Sequence, residues 1–433
     1  MERFLISKLI DWKKDHRRKP IIINGARQVG KTWLLKEFGA KHFDNVAYVN
    51  FDNNETMKLL FEESYDIPRL LMGIQAETSK RIIEGKTLII FDEVQECPKA
   101  LTSLKYFREN APNQMIAAAG SLLGLAVHQG TGYPVGNVTT FDLHPLNFRE
   151  FLDATGNQSL RELIDTNDTA AVSAFSPKLI PLLRQYYFIG GMPEAVAAFV
   201  ESNVLKDARD VQNQILFDYR RDISKHLTIS ETEHTLAVWE SIPAHLGQEN
   251  KKFVFGHIKE GARAKAYRAA ITWLTEAGLT TCVRRISKPG VPLAAYADGS
   301  SFKLFTLDVG LLGAMAGLDS SSVISGNKVF AEFKGSLTEQ YVCQQLISDC
   351  EQQPFYWSAK NSRGEIDFLV QEEGRIYPIE VKAEENLKSK SLRAFSERYP
   401  GMNPRRLSLS GYRDEDWMRN VPLFAIGNMR SWK

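Results

Sequence analysis

No apolar run among the 433 residues approaches the roughly 20 needed to cross a bilayer, and the opening Met1-Glu2-Arg3-Phe4 lacks the apolar core of a signal peptide. A cytoplasmic protein that does not enter a membrane is expected. Cysteine is scarce. Cys97, Cys282, Cys343 and Cys350 form no CxxC pair and no zinc-like spacing, which argues against a disulfide framework or zinc module and for reduced thiols. Net charge is nearly absent as well: at +2 the chain is no polycation, so any polyanion contact must be local. The rest of the composition, 43% hydrophobic and 24% charged, is that of an ordinary globular protein, and the length implies two to four domains.

The charge that is present is unevenly placed. Between Asn250 and Gly290 lie nine basic residues, Lys251, Lys252, Lys259, Arg263, Lys265, Arg268, Arg284, Arg285 and Lys288. Only Glu260 and Glu276 oppose them, so this stretch carries +7 and the rest of the chain −5. A local polyanion contact and a solvated helix face both account for such a cluster.

Gly25-Ala26-Arg27-Gln28-Val29-Gly30-Lys31-Thr32 is a complete phosphate-binding loop, entered by the apolar Ile21-Ile22-Ile23 and left by a helical pattern from Thr32 to Phe38. Its two glycines let the backbone curl so that successive N–H groups face phosphate oxygens. Lys31 then reaches the β- and γ-phosphates, and the Thr32 hydroxyl can ligate Mg2+. ATP and Mg2+ are the expected cofactors. Further strands are predicted at Val46–Phe51, Thr87–Phe91, Met115–Ala119 and Val138–Leu143, alternating with helical patterns as in a parallel α/β sheet. The strand Thr87–Phe91 delivers Asp92-Glu93 to the carboxyl edge, where a nucleotide sits. Asp92 would hold Mg2+ through water, and Glu93 would orient or deprotonate the attacking water. Ser121 follows the fourth strand; it is predicted near the γ-phosphate, the alternative being a plain turn at Gly120-Ser121.

Three strings, HPLNFREFL from His144, GGMPEAV from Gly190 and LDVGLLGAM from Leu307, resemble a widespread family of bacterial and archaeal AAA-like ATPases whose C-terminal domain was long labelled as of unknown function. The resemblance spans nearly the whole chain. It implies an ATP-binding fold with an added winged helix and a nuclease-like C-terminal domain. One departure is Asn137, where many relatives carry a basic residue.

The residues between these strings fill in the plan. Ser159 to Ser230 is mostly helical and could form a lid over nucleotide; within it Arg220 and Arg221 are arginine-finger candidates, the alternative being surface ion pairs with Asp218 and Asp222, and a homo-oligomer is a further expectation. Thr235–Leu246, Phe253–Ile258 and Arg263–Ala277 read as three helices, the last with an apolar stripe of Ala266, Ala270, Trp273, Leu274 and Ala277. Two strands follow, Leu279–Arg284 and Lys303–Thr306. That order is a winged helix, with Arg263, Lys265 and Arg268 set to contact DNA phosphates; winged helices also dock proteins.

Beyond it, Glu332–Leu346 reads as a helix and Phe355–Ser358, Gly364–Val370 and Tyr377–Ala383 as strands. Alternation along a strand puts Glu380 and Lys382 on one face, with Asp367 on the neighbouring strand. This is the PD-(D/E)xK pattern of restriction-endonuclease-like folds. Asp367 and Glu380 would ligate Mg2+, Glu339 would support them from the helix, and Lys382 would position or activate water. A nuclease fold kept only for binding is the alternative.

The expected architecture is α/β and multi-domain: a P-loop NTPase parallel sheet over residues 1–158, a helical lid over 159–230, a winged helix over 231–318 and a restriction-endonuclease-like α/β domain over 319–433. The expected function is ATP hydrolysis directed at DNA, with a Mg2+-dependent nuclease output. A signalling or assembly switch, and a toxin or defence component, are the competing classes.

Overall fold

The computed structural model describes residues 1–120, 134–258, 264–320, 331–359, 364–384 and 388–432. The chain divides into two compact units. One is Glu2–His144 with Glu276–Gly278, the other Met1, Pro145–Thr275 and Leu279–Lys433.

The first unit is built on a five-stranded parallel sheet ordered β2-β3-β4-β1-β5, where β1 is Ile21–Asn24, β2 Asn45–Asn50, β3 Thr87–Asp92, β4 Met115–Ala119 and β5 Thr139–Asp142. Its central strands read as continuous apolar runs because helices cover both faces, so neither face needs polar residues. Every residue of β3 and β4 is buried. The helices are α1 (Leu5–Lys14), α2 (Lys31–His42), α3 (Glu55–Glu63), α4 (Ile67–Thr78) and α5 (Pro98–Asn110). Side-chain caps start two of them: Asn54 accepts from the Met57 N–H and Asp66 from the Arg69 N–H. The core on one side gathers Ile22, Ile89 and Ile116 with Leu101 and Leu104. Phe51, Phe61 and Phe91 meet there edge to face at 5.5–5.6 Å.

The second unit begins with helices α6 (Phe148–Ala154), α7 (Gln158–Ile164), α8 (Thr169–Ala174), α9 (Ser176–Ile189), α10 (Pro193–Ser202), α11 (Leu205–His226), α12 (Ile229–Leu246) and α13 (Ala264–Glu276). A mixed eight-stranded sheet follows, ordered β12-β13-β11-β10-β9-β8-β6-β7. Its strands are β6 (Thr280–Ile286), β7 (Ala297–Thr306), β8 (Phe355–Ser358), β9 (Glu365–Glu372), β10 (Arg375–Val381), β11 (Arg405–Ser408), β12 (Arg413–Glu415) and β13 (Met418–Pro422). Helices α14 (Val309–Met315), α15 (Ala331–Ser348) and α16 (Lys390–Arg398) complete it.

Three features of this unit differ from the sequence expectation. The hairpin β6–β7, read as a wing, is continuous with the C-terminal sheet, because Arg284 and Arg285 pair in parallel with Phe355 and Tyr356 of β8. The buried stripe of α13 is Tyr267, Ala270, Ile271 and Leu274, with Ala266 exposed and Trp273 half-buried, so the inward face is rotated from the expected one toward Tyr267 and Ile271. Between Phe253 and Ile258 the helix is a single 3-10 turn, Phe255–His257.

Candidate functional site

The nucleotide loop is shaped by backbone signs that its residues allow. Gly25 (φ +151°), Gln28 (φ +64°) and Gly30 (φ +92°) take positive φ, and α2 begins at Lys31. A Cβ on Gly25 would lie 2.3 Å from the Leu143 carbonyl oxygen, so only glycine lets the loop pack on the end of β5. Arg3, buried and far away in sequence, fixes the loop from behind: its Nη1 donates to the Val29 carbonyl at 3.0 Å and its Nη2 to the His144 carbonyl at 2.6 Å.

Lys31 is buried, its Nζ donating to the carbonyls of Gly25 (2.8 Å) and Ala26 (2.7 Å). Burial lowers its pKa from 10.5 to about 8, against the pull of Glu93 and Asp92. At the end of β3, Asp92 Oδ2 accepts from the Thr32 hydroxyl and from the Tyr48 hydroxyl, both at 2.8 Å. The loop threonine and the strand aspartate are thus adjacent, as a shared cation would need. Glu93 sits at φ +51°, a costly conformation for a residue with a Cβ and one that collects at functional sites. It turns the chain out of β3, and its carboxylate accepts from Gln95 Nε2. The donor set fits Mg2+ and a triphosphate: a hydroxyl beside a carboxylate, a buried ammonium, and a helix N-terminus at one loop.

Arg27, Gln28 and Val29 complete the loop, with Ala26 and Val29 buried. Ser121 and Arg263 lie outside the described residues. Lys265 and Arg268 are exposed on α13. The finger candidates point to local partners: Arg220 pairs with Glu240 at 2.9 Å, and the Arg221 guanidinium lies 5.8 Å from the Phe217 ring. Asn137 closes a turn, its N–H donating to the Pro134 carbonyl at 2.9 Å.

In the second unit the three sequence strings converge on one buried knot. The Leu146 N–H donates to the Gly191 carbonyl at 2.7 Å, and the Gly191 N–H donates to Asp308 Oδ2 at 2.6 Å. A Cβ on Gly191 would stand 2.0 Å from the Leu146 carbonyl oxygen, and one on Gly190 2.1 Å from Asp308 Oδ1. From α15, Gln344 Nε2 donates to Asp308 and to the Tyr186 hydroxyl, while Gln345 Oε1 accepts the Phe148 N–H. Arg149 on α6 pairs with Asp349 and Asp165. These strings build a hydrogen-bonded joint between helices and sheet, with no nucleophile or ligand set of their own.

The carboxylates of the C-terminal pattern occupy neighbouring strands and α15, and each has a partner. Lys382 Nζ pairs with Glu380 Oε1 at 2.9 Å, and Asp367 Oδ2 accepts the Val381 N–H at 2.7 Å. Burial, then the nearness of Glu339, pushes Asp367 up to about 7. Glu339 pairs with two lysines that the pattern did not reveal, Lys251 at 2.6 Å and Lys303 at 3.6 Å, and Lys303 also meets Glu365 at 2.5 Å. Burial raises the Glu339 pKa, but the two lysines outweigh it and hold the group below the usual carboxylate range. Among the described residues, no three His, Cys, Asp or Glu side chains are grouped to hold a metal ion. The signal for Lys303 was present in the sequence: it sits at an inward slot of β7, in step with Ser301 and Phe305. Arg3 and Tyr48 had no comparable signal.

No described helix is long and apolar enough to cross a membrane. Comparison with known proteins divides the chain in three. Residues 17–152 match the AAA domain, residues 180–322 a domain of unknown function (DUF8612), and residues 334–423 another (DUF4143). No curated protein matches. Among solved structures, a Walker-type ATPase of Pyrococcus abyssi is similar at 13% identity and a TM-score of 0.45, over 73% of this chain and 95% of that one. The ORC1 protein of Aeropyrum pernix, solved in complex with DNA, is similar at 13% and 0.28, over 72% and 90%. Cdc6p of Pyrobaculum aerophilum gives 12% and 0.25, over 78% and 93%. The stretch that carries the phosphate loop and Asp92-Glu93 therefore lies within a match to the AAA domain.

Proposed function

We propose that the protein binds and hydrolyses ATP at the Gly25–Thr32 loop and directs that cycle at DNA. The observation that carries the reading is the meeting of Lys31, Thr32, Asp92 and Glu93 at the carboxyl edge of a parallel sheet, inside a stretch matching the AAA domain. Thr32 and Asp92 would hold Mg2+, whose charge offsets that of the phosphate oxygens. The loop N–H groups and the α2 N-terminus receive the phosphates, and the Lys31 ammonium leaves its carbonyl partners for the β- and γ-oxygens. Glu93, turned out of β3, orients a water in line with the γ-phosphate and accepts its proton as ADP and phosphate form. Tyr48 keeps Asp92 facing Thr32.

DNA is the partner this reading gives the basic segment, with Lys265 and Arg268 exposed on α13 to meet phosphates without reading bases. The domain limits at 158, 230 and 318 remain part of the proposal, with the C-terminal sheet as a binding or cleaving output and self-association as its assembly state.

Glu93→Gln tests the hydrolytic core. It should keep ATP affinity within a few-fold and lower turnover by about two orders of magnitude or more, the usual worth of a general base. Filter binding and phosphate release measure the two quantities. Full turnover in Glu93→Gln overturns the assignment.

A further inference from the structure

The C-terminal sheet carries the residues of a metal-dependent nuclease pattern, yet the groups standing among its carboxylates are ammonium groups of the same chain. Lys251 follows α12 and Lys303 lies on β7, both from the stretch the sequence marks as basic or as a wing. Glu339 comes from α15 and Glu365 from β9. Lys251 Nζ is 2.6 Å from Glu339 Oε1; Lys303 Nζ is 3.6 Å from Glu339 Oε2 and 2.5 Å from Glu365 Oε1. Lys303 is wholly buried, its ammonium 5.1 Å from the centre of the Tyr356 ring. A buried ammonium cannot recruit water to replace these carboxylates, so it is bound to them.

We infer that Lys303 and Lys251 are resident counter-ions of the Glu339–Glu365–Asp367 cluster, which makes this part of the sheet a self-neutralised scaffold rather than a divalent-metal centre. Mg2+ asks for six oxygens in near-octahedral array and keeps several waters. Here Glu339 faces two ammonium groups, Asp367 Oδ2 holds the Val381 N–H, and Glu380 Oε1 holds Lys382. Of the Glu339, Asp367 and Glu380 carboxylates, the buried oxygens without a hydrogen bond are Glu380 Oε2 and Glu339 Oε2, and the second has Lys303 in front of it. A divalent ion entering beside Glu339 would share a dry space with two fixed positive charges. The residues present do not fit the metal that the pattern implies. The same pairs tie the Lys251 segment, β7, α15 and β9 together, so Lys251, counted in the basic cluster, is spent inside the fold.

The test is Mn2+ binding to the full chain without nucleotide, in an Asp92→Asn background that removes the metal-holding carboxylate of the other unit. Electron paramagnetic resonance titration should show no stoichiometric site below millimolar Mn2+. One Mn2+ per chain that disappears in Asp367→Asn or Glu380→Gln overturns the inference. Thermal melting gives an independent arm. Lys303→Met should lower the melting temperature, and adding Glu339→Gln should restore part of the loss. If Lys303→Met does not fold, the less buried alternative is Lys251→Met with the same Glu339→Gln rescue. Additive losses in the double variant overturn the inference as well. ATP turnover, which belongs to the other unit, reads out separately, so failure here is distinguishable from failure of the ATPase reading.

Discussion

Lys31 places a charge where burial disfavours it, and that has a consequence in pH. Its pKa falls from 10.5 to about 8, chiefly through burial. The unfolded chain therefore holds more protons than the folded one between those two values. Stability rises with pH across that window, and below about 8 the buried charge costs its full amount. Phosphates of a bound nucleotide bring negative charge to the ammonium and push its pKa back up. Binding at pH 8 should take up about half a proton, and close to none near pH 6.5, where Lys31 is already charged. Calorimetric titration in two buffers of different ionisation heat measures the uptake. An uptake equal at both pH values, or preserved in Lys31→Met, contradicts the role. Tyr48 and Arg3 act through others at this scale, one holding Asp92 and the other the back of the loop.

Among the elements, the joint formed by Leu146, Gly191 and Asp308 explains three strings that look like motifs yet carry no reactive group. Gly191→Ala would put a Cβ 2.0 Å from a backbone oxygen that has no flexible way to yield. It should cost roughly 1–3 kcal/mol or more, as overpacking against fixed atoms does. Thermal or denaturant unfolding checks this, and an unchanged midpoint contradicts the joint. The central parallel strands β1, β3 and β4 could be read from the sequence because each is a local apolar run, and the phosphate loop because its chemistry is contiguous. Strands β11 to β13 could not, and the sequence reading assigned no element beyond Ala383. Arg406 on β11 is wholly buried, donating to Asn420 and Glu415, and patterns that equate charge with surface pass over it. Lys303 escaped for the same reason. Glu339 was legible as a helix acid, but its lysine partners are 88 and 36 residues away in sequence, and only folding brings them to it.

For the whole molecule, a net charge of +2 conceals a stretch of +7, and the fold changes how much of that charge faces outward. Lys251 is spent on Glu339 and Arg285 on Asp298, while Lys265 and Arg268 are exposed on α13. Lys252, Arg284 and Lys288 are exposed as well, and the salt dependence of the DNA contact should be about one power of salt concentration per phosphate that these residues neutralise. The most direct measurement is the rate of ATP hydrolysis with and without duplex DNA over a salt series, for the natural chain, Lys31→Met, and Lys265→Glu with Arg268→Glu. The account predicts turnover absent in Lys31→Met, and stimulation by DNA at low salt that fades as salt rises and is lost in the double charge reversal. Turnover that survives Lys31→Met, or a rate indifferent to DNA at every salt concentration, would contradict it.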